Sequence, residues 1–394
     1  MSEREYEIVL FGATGFTGAL TAEYLARNAP PDTRWAIAGR SPSRLERLRA
    51  QLAAIDSAHE QLPIVAADVQ DAPSLRALAD RAQVVITTVG PYTVYGEPLV
   101  AACATAGTDY VDLTGEPGFV DRMWLSYNET AQRSGARLVH SCGFDSIPYD
   151  LGALFTVMQL PEGVPIELEG YGAFAGGFSG GTLQSAIEIV SRLRESKRLA
   201  DDRRAREPRP AERRIRGRIG IPRNEPFAGG WILPAPTIDP QHVLRSARAL
   251  PRYGPAFSYG HYVVAGSLER AVALAAGAGG LVALAQIELA RELLRRIKTP
   301  GEGPSPEQRA GSHFRVRFAA RTNGERLLAE VCGGDPGYGE TSKMLAESAL
   351  CLARDELEDR AGQLTTAVAM GPALIARLQR AGISFRVLEE EGDR

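Results

Sequence analysis

The sequence predicts an α/β protein. An N-terminal Rossmann domain, built on a doubly wound parallel sheet, precedes a second, α+β domain containing a mixed or antiparallel sheet. Three observations carry this expectation. Apolar runs of strand length alternate with helix-length segments over roughly the first 143 residues, as right-handed crossovers in a parallel sheet require. The first of these runs leads straight into a glycine turn. Past Tyr149 the pattern changes to alternating strands, including a hairpin with Asn323-Gly324 at its tip, a pair suited to a type I′ turn.

The first strand is Ile8-Val9-Leu10-Phe11, apolar throughout and so buried on both faces. Gly12-Ala13-Thr14-Gly15-Phe16-Thr17-Gly18 is the turn, and a helix follows until Pro30 and Pro31 stop it. Glycines let the backbone pass close to a pyrophosphate whose charge sits against the positive end of the helix. The spacing is GxxGxxG, a relative of the usual GxGxxG. Its position between a buried strand and a helix points to dinucleotide binding, against a tight turn with no ligand.

The second strand, Trp35 to Ala38, ends at Gly39-Arg40-Ser41. An NAD site places Asp or Glu here to bind the ribose 2′-hydroxyl. Arg40 with Ser41 instead offers a guanidinium fork and a hydroxyl to a 2′-phosphate, so the expected cofactor is NADP(H). Pro42 and the Leu45, Leu48, Leu52 spacing make an amphipathic helix. The third strand, Leu62 to Val69, ends at Asp68-Val69, where such folds contact the adenine. The fourth, Gln83 to Val89, ends at Gly90-Pro91-Tyr92, where the strand order of a doubly wound sheet reverses and ligands bind. Val89, Gly90 and Pro91 therefore join the cofactor set, and Tyr92 or Tyr95 could stack on the nicotinamide or donate a proton. Packing with a satisfied hydroxyl is the competing reading for each tyrosine.

A fifth strand in TDYVDLTGE, a helix from Phe119 to Arg133 and a sixth strand in ARLVHSCG complete the first domain, residues 1–146. The sixth delivers Ser141-Cys142-Gly143-Phe144-Asp145-Ser146 into the same crevice. Cys142 is placed beside the cofactor, and with Asp145 it forms a candidate proton-handling group. The bland reading makes Cys142 a buried filler and Asp145 a cap for the helix starting near Pro148.

Residues 147–394 are assigned to substrate binding and dimerisation, with the segment from about 340 packing back on the first domain. Ile147 to Met158 is a helix. The alternating strand PIELEGYGAFA runs into Gly176-Gly177-Phe178-Ser179-Gly180-Gly181-Thr182, where a ligand or another backbone can approach closely. Ser179 is the candidate there, able to donate to a carbonyl oxygen. Arg192 to Arg223 holds thirteen Lys/Arg against five Asp/Glu and is expected as a helix end followed by an exposed, mobile segment. Its sharper reading is the docking of an acidic partner protein. Ala271 to Ile287 is uncharged and mostly apolar; a buried or dimer-interface helix, a wall of an acyl tunnel and membrane contact compete for it. The hairpin 313–333 precedes a helix from about Thr341 to Leu357, with Tyr338 and Lys343 as polar candidates or surface residues.

The chain has 394 residues, 44% hydrophobic and 24% charged, in the range of globular proteins. A net charge of −3 argues against a nucleic-acid binder. Cys103, Cys142, Cys332 and Cys351 show neither CxxC nor metal-ligand spacing, so no metal is expected and a reducing compartment suits them. MSEREYE enters the first strand without a signal-peptide pattern, and the expected location is the cytoplasm.

Several of these segments together resemble one family. GATGFTG, AGR, TTVGPYTVYGEPLVAACATAGTDYVDLTGE, HSCGFDSIPYDLG, GGFSGGT and DPGYGETSKML occur in this order in the saccharopine dehydrogenase-like oxidoreductases, and the chain looks most like the trans-acting enoyl reductases of actinobacteria. The resemblance implies an NADP-linked Rossmann domain and reduction of a carbon–carbon double bond in an acyl thioester held by a polyketide synthase that lacks its own reductase. It supports Gly12, Gly15, Gly18 and Arg40 as cofactor residues and names no proton donor. Saccharopine-forming enzymes differ after the matching CG motif, where this chain reads FDSIPYD. Imine or carbonyl reduction, and a non-catalytic NADP-binding scaffold of a lipid-synthesis complex, stand as alternatives.

Overall fold

A computed structural model describes residues 4–175, 191–285 and 305–389. Its first strands are β1 (Tyr6–Phe11), β2 (Trp35–Gly39), β3 (Ile64–Ala66), β4 (Ala82–Thr87), β5 (Asp109–Val111) and β6 (Arg137–Val139). Then follow β7 (Ile166–Ala175), β8 (Arg214–Arg218), β9 (Arg223–Glu225), β10 (Gly230–Pro234), β11 (Ala256–Gly266), β12 (His313–Thr322), β13 (Glu325–Gly333), β14 (Gly362–Leu364) and β15 (Ser384–Leu388).

Seven strands form a wholly parallel sheet in the order β14-β6-β5-β4-β1-β2-β3. This is the Rossmann order with β14 added beside β6, and it reverses between β1 and β4. Alternation along β1 explains why the run is apolar on both faces. Ile8 and Leu10 join a core with Ile86, Met344 and Leu345, whereas Val9 and Phe11 join one with Leu75, Leu99 and Met123. Burying each such side chain contributes about 1.5–3 kcal/mol.

The second sheet has eight strands, ordered β15-β13-β12-β7-β11-β10-β9 with β8 beside β11. It is mixed: β7 and β8 run parallel to β11, while the β12–β13, β12–β7 and β10–β11 pairs are antiparallel. The β12–β13 hairpin closes through Asn323 (φ 46°) and Gly324 (φ 88°), the positive values of the expected type I′ turn. The Ile147–Met158 helix covers one face of this sheet, and a Cβ at its Gly152 would lie 2.4 Å from the Phe318 ring, so only glycine allows that approach.

The C-terminal part returns to the first sheet. The Gly339–Arg354 helix packs on the Phe16–Asn28 helix and across β4, and β14 pairs with β6 through Gln363↔Leu138.

One expectation is corrected. The Arg192–Arg223 run is exposed along β8, as expected, yet its first part is a full, packed helix and not a helix end. Leu193–Arg206 is a helix packed on the Pro117–Ser134 helix, and Arg203 is buried with its guanidinium on the carboxylate of Asp121 and on Glu207. β8 lies within the rest of the run and β9 begins at its end. A carboxylate from a distant helix turns a charged stretch into a packed one, which local composition does not reveal. Along the Leu268–Ala285 helix, Ala271 is buried whereas Val272, Leu274 and Leu284 are exposed. Among the described residues no helix is long and apolar enough to cross a membrane.

Candidate active site

The loops that follow β1, β2, β3 and β4 all lie on the C-terminal edge of the parallel sheet, so the fold lines up the turn Gly12–Gly18, Arg40 and Ser41, Asp68 and Val69, and Val89, Gly90 and Pro91. Gly12 has φ 86°, and a Cβ there would lie 2.7 Å from the Val89 side chain. A Cβ on Gly18 would fall 2.2 Å from the Gly12 carbonyl oxygen. These two glycines are set by protein packing. Gly15 is different: it is exposed, and its Cβ would meet only the Gly12 oxygen at 3.4 Å, so its openness serves whatever approaches from outside.

The helix behind this turn begins without a side-chain cap or an acidic residue in its first turn. Among the described residues, the amides of Phe16, Thr17 and Gly18 have no backbone acceptor, as an anion site at a helix N-terminus needs.

At the end of β2, Arg40 is exposed and has no hydrogen-bond or ion-pair partner among the described residues. Ser41 starts the next helix without capping it, its hydroxyl 3.4 Å from that of Ser43. Arg44 donates to the Thr14 carbonyl at 3.2 Å, which brings a second guanidinium across the glycine turn. Sequence reading missed Arg44; its signal is the RSPSR run, which stacks a second arginine one helical turn beyond the first. Asp68, by contrast, is used locally, accepting from Gln70 N at 3.0 Å, and Val69 packs against the core.

Beyond β4 the loops are laced together. The Gly90–Pro91 peptide is cis. Glu116, at the end of the β5 loop and 2% exposed, accepts from Tyr92 N at 3.0 Å and Thr93 N at 2.7 Å and from the Thr93 hydroxyl. Glu116 was also missed; an acid just before Pro117 reads as a helix-start residue, whereas it holds the β4 loop.

The catalytic candidates separate. Tyr92 is buried: its hydroxyl donates to the Thr87 carbonyl at 3.1 Å and accepts from Leu113 N at 3.2 Å, and burial pushes it well above the usual tyrosine range. It is a tie between two loops. Tyr95 is exposed at the end of the short Tyr92–Tyr95 helix. Cys142 is fully buried, its thiol donating to the Val139 carbonyl at 3.4 Å and pushed up by burial. The reason is Ser141, whose left-handed backbone (φ 62°) is fixed by Ser141 N donating to Asp112 at 2.9 Å and by Cys142 N donating to the Asp112 carbonyl at 2.7 Å. That turn directs the thiol into the core, away from the crevice where the sequence placed it. Asp145 is left facing solvent and does not cap the helix, which starts from Ser146. Water reaches its carboxyl, yet the surrounding protein desolvates it enough to lift it to about 6. Its Oδ2 approaches the backbone at Gly115, where a Cβ would come within 3.2 Å. Ser179, with its glycine-rich segment, lies outside the described residues.

The C-terminal part closes the edge. The Phe16 and Tyr338 rings meet edge to face, Ser342 donates to the Thr17 carbonyl at 3.4 Å, and Thr341 accepts from Phe144 N at 3.1 Å. Tyr338 is buried with its hydroxyl unpartnered, whereas Lys343 is paired with Glu340. A cavity of about 410 Å³ between Trp124, Arg248 and Gln363 lies at the β14 edge, away from the glycine turn.

Residues 8–139 match the saccharopine dehydrogenase NADP-binding domain. The chain is 42% identical over 417 residues, 97% of each chain, to a Mycobacterium tuberculosis protein provisionally named a trans-acting enoyl reductase. It is 38% identical, over 97% of each chain, to the trans-acting enoyl reductase of Mycobacterium ulcerans. In fold it is similar to the apo saccharopine dehydrogenase (L-Glu forming) of Saccharomyces cerevisiae, with a TM-score of 0.54 and 11% identity over 98% of this chain and 100% of that one. An unpaired arginine with no acid at the end of β2 fits the domain match: the cofactor is NADP(H).

Proposed function

The chain belongs to the trans-acting enoyl reductases, and from this membership we propose that it reduces the C=C bond of an acyl thioester with NADPH, the acyl chain being carried by a separate polyketide or lipid synthase. One observation supports this reading most. The arginine pair at the end of β2 and the solvent-reached carboxyl of Asp145 share one edge of one sheet, and beside Asp145 the rings of Phe144, Phe174 and Phe314 gather at 5.1–6.1 Å, an apolar group suited to an acyl chain.

In this reading residues 1–146 hold the nucleotide and residues 147–394 supply the substrate side and dimerisation. Arg40, Ser41 and Arg44 take the 2′-phosphate, and the free amides of the glycine turn take the pyrophosphate. NADPH bound along this edge supplies the hydride. Glu116 and Tyr92 fix the β4 loop, which would hold the nicotinamide end of the cofactor, and Cys142 fills the core. Asp145 and Tyr95, both exposed, remain as candidates to act on the acyl thioester, whose developing enolate needs a hydrogen-bond donor at oxygen and a proton at the α-carbon; Ser179 stays a candidate from the sequence alone. The exposed arginines of the 192–223 segment, such as Arg198, offer an acidic carrier protein a place to dock.

The test follows NADPH absorbance with enoyl thioesters presented on coenzyme A and on a carrier protein, with imine-forming and ketone substrates alongside. Oxidation with enoyl thioesters alone is the expected result. Oxidation only with imines or ketones would move the activity to carbonyl-type reduction. Tight NADPH binding with no turnover of any substrate would favour the scaffold role.

A further inference from the structure

Tyr149 is a buried tyrosine that sequence reading passed over. It sits in the first turn of the Ile147–Met158 helix, four residues after Asp145, and is 6% exposed. Its hydroxyl makes no hydrogen bond among the described residues, and it is not one of the fully buried orphaned oxygens. The ring is fixed edge-on against His261, with centroids 4.7 Å apart, and against Phe144 at 6.2 Å. The hydroxyl end rests on the backbone of β7. A Cβ at Gly172 would come within 1.9 Å of the hydroxyl oxygen, so glycine at that position makes the room the hydroxyl occupies.

The surroundings also fit a proton donor. Burial and the neighbouring carboxylates of Asp239 and Asp145 push the phenol well above its ordinary range, so it stays protonated until a strong base forms beside it. Behind the ring, His261 is contacted by Tyr259 at 3.2 Å and by Thr237 at 3.0 Å, and burial pushes it down to about 3, so a neutral imidazole backs the tyrosine.

We propose that Tyr149 donates the proton to the α-carbon during reduction of the enoyl thioester, its ring beside Phe144 and its hydroxyl against Gly172 of β7. The inference rests on the enoyl reductase reading above. Hydride, with its two electrons, goes to the β-carbon and leaves NADP+. The C=C π pair moves to the α-carbon and thioester oxygen as an enolate. The Tyr149 O–H bond then breaks, its proton forms the α C–H bond, and the phenolate is reprotonated from solvent through Asp145. No other reactant is consumed.

The experiment compares the full-length protein with Tyr149→Phe, which keeps the ring on His261 and removes no hydrogen bond made among the described residues. With enoyl thioester and NADPH in D2O, the wild type should give product deuterated at the α-carbon with a single configuration. The variant should lose about 100-fold or more in kcat, the scale of general acid catalysis, and its residual product should carry deuterium in both configurations. Its melting temperature and its NADPH affinity by fluorescence titration should not move. Unchanged kcat with one configuration retained would overturn the assignment while leaving the enoyl reductase reading intact. A wild type that binds NADPH yet reduces no enoyl thioester would overturn both.

Discussion

Phe16, in the glycine turn after β1, and Tyr338, just before the Gly339–Arg354 helix, meet edge to face with ring centroids 4.8 Å apart. The contact ties the end of the chain to the turn nearest its start. Tyr338→Ala should therefore weaken NADPH binding and lower the melting temperature together, losing about 3–5 kcal/mol of packing. Tyr338→Phe, which removes a buried hydroxyl that has no partner, should leave both at or above the wild-type level. Thermal melts with and without NADPH check this.

The glycines of the turn should divide by role. Gly18→Ala forces a Cβ onto the Gly12 carbonyl, and the turn must move; loss of stability and loss of binding are both expected. Gly15→Ala meets only a 3.4 Å contact and should fold normally while NADPH affinity falls, because the added methyl stands where the pyrophosphate approaches. Melting temperature and fluorescence titration separate the two.

Arg40 should set the choice of cofactor. Arg40→Ala is expected to cost about 1.5–3 kcal/mol of NADPH binding, roughly 10- to 100-fold, with NADH binding unchanged. Arg44→Ala should act in the same direction and more weakly, since that guanidinium also serves the Thr14 carbonyl. Parallel titrations with the two cofactors read the difference.

Arg203 should be structural. Arg203→Ala leaves the buried carboxylate of Asp121 with Gln241 as its one partner among the described residues and should cost about 3–5 kcal/mol in urea denaturation. Charge reversal at exposed Arg198 should spare stability, and a drop in turnover confined to carrier-bound substrate would mark this face as the carrier dock.

Asp145 gives a pH signature. Desolvation in the folded chain pushes its carboxyl up to about 6, from an ordinary value of 3.8. Between roughly pH 4 and 6 the folded state holds a proton that the unfolded state has lost, so this group's contribution to stability falls as pH rises through that window. Asp145→Asn should remove that part of the slope, and melting temperatures of both proteins across the window show it.

The parallel sheet was legible because its signals are local: an apolar run, a turn, a helix with caps or prolines, repeated. The hairpin at Asn323-Gly324 was legible for the same reason. What sequence reading missed is set by long-range partners. β14 is three residues long and pairs only because β6 offers an open edge. The inward turn of Cys142 depends on Asp112, and the burial of Arg203 on Asp121, neither of them near in sequence. At the site, Arg40 and the glycines could be read from their strand and helix neighbours. Glu116 and Tyr149 could not, since their roles come from the backbone amides and the glycine they meet only after folding.

The most direct measurement uses NADPH deuterated at the transferable position with an enoyl thioester substrate, and mass and NMR analysis of the acyl product. One deuterium at the β-carbon, with NADP+ formed in equal amount, is the predicted result. Deuterium delivered instead to a carbonyl or imine carbon, with the C=C bond left intact, would contradict the account.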